Sequence, residues 1–204
     1  MIETGFLITA FATLFVVIDP PGLVPLFIAL TQGMDRDHRR HLAQRACIIA
    51  AILLTAFGLL GEQLLGFIGI SMPAFRIAGG ILLFLTALDM LFERRTQRRE
   101  GQKTDPDHDP SVFPLATPLI AGPGAIATMI LLVGKTSDWV GTFAVLGLML
   151  AMMASTFVFL LSASRMEHLL GRTGTIVITR LLGMLLAALS VQFVIDGVKG
   201  TGLI

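Results

Sequence analysis

Charge is scarce in this 204-residue chain: Asp, Glu, Lys and Arg make up 14% of it, against about 25% in an ordinary soluble domain. Cysteine is scarcer still. Cys47 stands alone in an apolar run, so the chain can build no disulfide framework, and its redox compartment cannot be read from thiols. The four histidines, His38, His41, His108 and His168, fall in polar connectors, which argues against a Cys/His metal cluster. No Gly-x-x-x-x-Gly-Lys-[Ser/Thr] loop is present to use ATP. Nor is there a Gly-x-x-x-Gly pair, the commonest helix-dimer motif in membranes, so oligomeric state stays open. A formal net charge of +1 offers nothing to nucleic acid in bulk.

What the chain does have is apolar surface. Hydrophobic residues make up 54% of it, with 21 glycines besides. Six spans of roughly 20 residues would use about 120 positions, and the two classes together supply that number. Hydropathy places the spans at about 4–30, 43–62, 74–92, 111–134, 140–163 and 175–196. Each is a continuous apolar run without the alternation of a barrel strand, so the spans read as helices. The lipid bilayer is the first partner. Connectors and tails amount to only about 80 residues, which leaves no room for a catalytic or nucleotide-binding domain outside the membrane. The first thirty residues lack a basic n-region and an Ala-x-Ala site, and Asp19-Pro20-Pro21-Gly22 interrupts them, so they read as a retained span.

Twelve of the fifteen basic residues fall on one face: Arg36, Arg39, Arg40 and Arg45; Arg94, Arg95, Arg98, Arg99 and Lys103; Arg165, Arg172 and Arg180. Arg76, Lys135 and Lys199 fall on the other. The positive-inside rule then puts both termini outside the cytoplasm of a multi-pass inner-membrane protein. Residues 93–110 read as a solvated linker between two three-span halves, repeat one at 4–92 and repeat two at 111–196, within a single transmembrane domain covering 1–204. Asp105, Asp107, His108 and Asp109 in that linker lie in a turn-rich stretch too flexible for a cation site. No metal site is expected.

The halves repeat. Pro21-Gly22 lies 102 residues before Pro123-Gly124, and Arg76, Gly79 and Thr86 lie 104 residues before Arg180, Gly183 and Ser190. Three spans per half make the second copy enter from the opposite side, so the expected fold is all-α, six transmembrane helices in two inverted three-helix repeats. Of nine prolines, Pro20, Pro21 and Pro25 fall in span one and Pro114, Pro118 and Pro123 in span four. Asp19-Pro20-Pro21-Gly22 has the grammar of a helix start, with Asp as N-cap and Pro at N1. Gly122-Pro123-Gly124 repeats it with a glycine cap. Spans one and four are therefore expected to be discontinuous, each with a second half-helix whose positive N-terminal end lies near the midplane.

That pairing places a carboxylate, Asp19, beside free N–H donors at Gly124 and Ala125, an arrangement suited to a small zwitterion. The candidate substrate-binding residues are Asp19, Gly22, Gly122, Gly124, Ala125 and Thr128. Arg76 and Arg180 begin spans three and six on opposite faces, where snorkelling to the interface is the plainer account and gating of the two mouths the functional one. Met149, Met152 and Met153 at helical spacing read as packing, not copper ligands. Glu62, Asp89 and Asp196 lie near span ends, and Asp89 could serve as a proton stop.

Asp19-Pro-Pro-Gly-Leu-Val-Pro-Leu-Phe27 and Pro114-Leu-Ala-Thr-Pro-Leu-Ile-Ala-Gly-Pro-Gly-Ala-Ile-Ala-Thr128, with the Arg-x-x-Gly-Gly run at Arg76, resemble the MarC family of bacterial and archaeal inner-membrane proteins. The resemblance covers nearly the whole chain. That family is named for multiple antibiotic resistance and is also classed as a neutral amino acid transporter family. The family pattern accepts Asn as well as Asp at position 19, and relatives often carry an aliphatic or aromatic residue at position 21. The resemblance thus implies a transporter of a small solute, a neutral amino acid. Without an ATP-using loop it is expected to be a secondary transporter driven by a proton or sodium gradient, working by alternating access around the half-helix ends, with no cofactor. A channel-like pore and a non-transporting organising or regulatory protein are the rivals. An enzyme is not expected, because no span carries a histidine and Asp19 has no evident second carboxylate at its depth.

Overall fold

A computed structural model describes residues 4–92, 109–136 and 138–202. Most of the linker, with Asp105, Asp107 and His108, lies outside the described residues, as do the side chains of residues 166–168, 170 and 172. The described residues form eight helical segments and no strand: α1 (Thr4–Ile18), α2 (Pro20–Leu30), α3 (Arg36–Ile68), α4 (Met72–Leu91), α5 (Ser111–Ile120), α6 (Pro123–Val133), α7 (Trp139–Leu161) and α8 (Ala163–Gly200).

Five stretches are long and apolar enough to cross a bilayer: Thr4–Leu30, Arg36–Ile68, Met72–Leu91, Trp139–Leu161 and Thr173–Gly200. α5 and α6 qualify only together, bent by 56°, and make a sixth if counted as one span. The chain is thus an all-helical, multi-pass integral membrane protein.

Local chemistry sets the boundaries. α3 starts where Asp35 accepts the His38 N–H at 2.8 Å and stops at Gly69, whose φ of 82° suits glycine. Its 33 residues exceed the span read from hydropathy, because the basic first turns around Arg36–Arg45 are helical although too polar to register as membrane. Asp138 caps α7 through the Gly141 N–H at 2.8 Å. α8 breaks at Gly171 (φ 61°, ψ 178°), and its membrane stretch begins only afterwards.

α5 departs from the regular helix expected of a span. Phe113 and Thr117 each precede a proline and are pushed into extended geometry, φ −130° with ψ 126° and 123°. Both Phe113–Pro114 and Thr117–Pro118 bonds are cis. Hydrogen bonds reach across five residues, Leu115 N–H to Pro110 O at 3.3 Å and Ala121 N–H to Ala116 O at 2.9 Å, so the segment is a wide, irregular coil.

α4 and α8 lie antiparallel along each other. A Cβ on Gly80 would stand 2.8 Å from the Ser190 carbonyl, one on Gly183 3.3 Å from the Ala87 carbonyl, and one on Gly197 3.0 Å from the Pro73 carbonyl. α3 packs on α5, α6 and α7; α7 packs in turn on α1, α2 and α3; α8 touches α2, and α4 touches α6. Leu14, Ile18, Leu54, Leu83, Met129, Met149 and Met152 are fully buried between them, so the methionines pack as expected. The first span is the most enclosed, with 67% of its most apolar window buried against 28–33% for the other four stretches. An interruption there faces protein, where freed backbone groups can find partners.

Candidate functional site

The first interruption is one residue long. Asp19 adopts the left-handed conformation (φ 53°, ψ 63°), which Asp tolerates better than most residues, and it is the one described non-glycine with positive φ. Pro20 and Pro21 have no N–H to return to the preceding turn. The Gly22 N–H goes instead to Asp19 Oδ1 at 3.1 Å. Continuity survives around them through Asp19 N–H to Phe15 O at 2.9 Å and Leu23 N–H to Asp19 O at 3.2 Å. Asp19 is fully buried. Thr179 of α8 aims its hydroxyl at Asp19 Oδ2 from 3.5 Å, a partner 160 residues away that no sequence spacing suggests.

The second interruption is a bend. Gly122 is the N-cap of α6 and offers no side-chain cap, so the first-turn amides at Gly124 and Ala125 lack the carboxylate that α2 has. Gly122 itself sits against backbone, since a Cβ there would lie 2.5 Å from the Pro118 carbonyl oxygen.

Beside this bend lies a cleft of about 140 Å³ lined by Val17, Thr86 and Asp89 together with residues 118–120 and 122–125. A Cβ on Gly124 would meet Leu83 at 3.1 Å, Val17 at 3.5 Å and the Thr86 hydroxyl at 3.7 Å. The start of α6 thus abuts the last turn of α1, two residues before Asp19. Of the sequence candidates, Gly122, Gly124 and Ala125 line the cleft; Asp19 and Gly22 do not. The carboxylate that does is Asp89, half-buried on α4, the residue near a span end that the sequence offers as a proton stop.

Thr128, one turn beyond Gly124 on the same helix face, is fully buried, and its hydroxyl finds no hydrogen-bond partner among the described residues. Thr13, Thr31, Thr86 and Thr156 all return theirs to the carbonyl four residues earlier. Arg76 is half-buried with an unpartnered Nε, whereas Arg180 is exposed on α8. Near Arg76, Lys135 Nζ stands 4.0 Å from Asp196 Oδ2 and 5.6 Å from the centre of the Phe193 ring. Burial, then the Arg76 charge, hold the Lys135 ammonium below the usual lysine range, and Asp196 partly offsets them.

Asp109 anchors the start of α5. Its Oδ1 accepts the Ser111 N–H at 2.9 Å and hydroxyl at 2.6 Å, and its Oδ2 pairs with Arg45 at 2.5 Å. Those Ser111 bonds, with Arg45 and His41, hold its carboxyl below the usual range.

Comparison with known proteins agrees with the architecture. The profile of the MarC family integral membrane proteins matches residues 4–201. The UPF0056 membrane protein MJ1677 of Methanocaldococcus jannaschii is 38% identical over 97% of this chain and 98% of its own length. YvbG of Bacillus subtilis, a UPF0056 membrane protein, is 35% identical over 96% and 95%. The UPF0056 inner membrane protein YhgN of Escherichia coli is 33% identical over 95% and 96%. No solved structure matches.

Proposed function

This chain belongs to the MarC family of integral membrane proteins, and from that premise we propose that it is a secondary transporter of a small neutral amino acid, working by alternating access around the cleft at the start of α6. The observation that carries this reading is the meeting, in one cleft, of the uncapped α6 N-terminus and the Asp89 carboxylate. Helix-start amides and their dipole favour an anion; a carboxylate favours an ammonium. The substrate carboxylate would sit on the Gly124 and Ala125 amides with its ammonium toward Asp89, while Asp19 holds the start of α2 in place beside them. At about 30 Å³ per water-sized group, a cleft of about 140 Å³ holds roughly five heavy atoms, the size of glycine and close to that of alanine.

The packing supports an inverted repeat. Exchanging the halves turns the contacts of α3 with α5 and α6 into those of α7 with α1 and α2, and the α2–α8 contact into α6–α4; all of these occur. Gly80 rests on the Ser190 turn and Gly183 on the turn after Thr86, and Thr86 and Ser190 are equivalent positions in the repeat. Such symmetry lets one set of contacts serve an inward and an outward state. In this scheme the interrupted spans supply the midplane ends, both termini lie outside the cytoplasm, and a proton or sodium gradient supplies the drive.

Counterflow in proteoliposomes tests it. Internal unlabelled alanine should accelerate uptake of labelled alanine, serine or glycine, saturably, with little effect for tryptophan, glutamate or lysine. Flux that never saturates would mark a pore, and no flux for any solute would mark a protein that does not transport.

A further inference from the structure

A second cavity, of about 860 Å³, lies between the connector from α2 to α3 and the turn from α7 to α8. Its walls carry Arg36, Arg39, Arg40 and Arg165 against a single carboxylate, Asp37, so four positive charges face one negative and leave a net of +3. Among the described residues none of the four arginines makes a salt bridge, and the Nε of Arg39 is buried with no hydrogen-bond partner. The nearby Asp35 is already committed to His38, at 2.9 Å. Ser162, the N-cap of α8, makes no side-chain cap, and residues 162–165 line the same space. Phe27 and Leu160 form an apolar floor, both nearly fully buried.

Four guanidinium groups from the first turns of α3 and α8 would repel one another across this space unless an anion stood between them. We infer that the cavity is a binding site for a phosphate group, carried either by a free phosphate anion or by the headgroup of an acidic phospholipid. The guanidinium forks match the geometry of phosphate oxygens and bind them in pairs. Arg39 supplies a buried donor that a phosphate oxygen would satisfy, and the start of α8, with no side-chain cap, lines the same cavity. The charge count selects a doubly or singly charged oxyanion over a zwitterion, which separates this site from the cleft at α6. Basic pockets between membrane helices hold phospholipid headgroups by the same chemistry. The site stands whether or not the chain transports amino acids.

The test uses the purified full-length chain in neutral detergent. Sodium phosphate is titrated against sodium chloride at equal ionic strength while the unfolding temperature is followed. Retention of phosphatidylglycerol against phosphatidylcholine is then measured by native mass spectrometry. A saturable rise with phosphate beyond that with chloride identifies the free anion. Selective retention of phosphatidylglycerol without a phosphate effect identifies the lipid. In either case Arg39→Gln and Arg165→Gln should weaken the apparent affinity by about tenfold or more. A purely structural Arg39 would lower the unfolding temperature without changing ligand affinity, and Arg165→Gln gives the same reading should Arg39→Gln fail to fold. Equal responses to phosphate and chloride, together with equal lipid retention by wild type and both variants, would overturn the inference.

Discussion

The carboxylate of Asp19 occupies the space in which a side chain on Gly22 would stand: a Cβ at position 22 would lie 2.6 Å from Asp19 Cγ and nearer still to Oδ2. The cap and the missing side chain are thus one device. Asp19 can fold back onto the Gly22 N–H only because nothing projects from Gly22, and Thr179 then steadies the second oxygen.

Gly22→Ala should therefore expel the carboxylate from its cap. Losing a buried hydrogen bond to a charged group costs about 1.5–3 kcal/mol, which would be read as a lower unfolding temperature in detergent. Gly147→Ala is the control, because that helical glycine has nothing within 4 Å of its Cβ position. There the expected result is unchanged or slightly raised stability, since alanine is the better helix former.

Asp19→Asn should keep both the cap and the left-handed backbone, because Asn can accept the Gly22 N–H and tolerates positive φ. Stability and counterflow should stay close to wild type. Asp19→Ala loses the cap, at about 0.5–2 kcal/mol, and adds left-handed strain of roughly 1–2 kcal/mol. Asp89→Asn, by contrast, should fold normally and raise the half-saturating alanine concentration by about tenfold or more.

Much of this was legible in the sequence, and the reasons differ by element. A bilayer demands continuous apolar helices, so span positions follow from hydropathy alone. Asp19-Pro20-Pro21-Gly22 announces its own cap, since Asp accepts and proline cannot donate. α5 was only half legible: a residue before proline is pushed out of helical geometry, which marks Phe113 and Thr117, but hydropathy alone reads the segment as one more apolar helix. Where Asp89 and Thr179 sit was hidden: each reaches its site through packing of α4 or α8, and local spacing carries no sign of that. The polar start of α3 was missed because hydropathy is silent on helix that leaves the membrane.

The two cleft glycines should separate folding from binding. At Gly122 a Cβ would meet the Pro118 carbonyl oxygen at 2.5 Å, and backbone cannot step aside. Gly122→Ala should cost about 1–3 kcal/mol of stability as overpacking. At Gly124 the nearest neighbours are side chains, so Gly124→Leu should fold, fill the cleft and abolish solute binding while the unfolding temperature shifts by a few degrees at most.

Acid should loosen the start of α5. Because Asp109 has a folded pKa below its unfolded value, its contribution is present above the unfolded value of about 3.9 and is lost as pH falls through the lower folded one. Unfolding temperatures measured from pH 6 down to pH 2.5 should fall more steeply for wild type than for Asp109→Asn. The carboxylate is partly exposed, so the difference should be small.

Direct binding of alanine to the purified protein, compared with propionate and ethylamine, tests the zwitterion cleft most directly. Alanine should bind saturably, each half-molecule about tenfold or more weakly, and both Gly124→Leu and Asp89→Asn should lose alanine while remaining monodisperse and folded. Alanine binding that is unchanged in both variants, or propionate and ethylamine binding as well as alanine, would contradict the account.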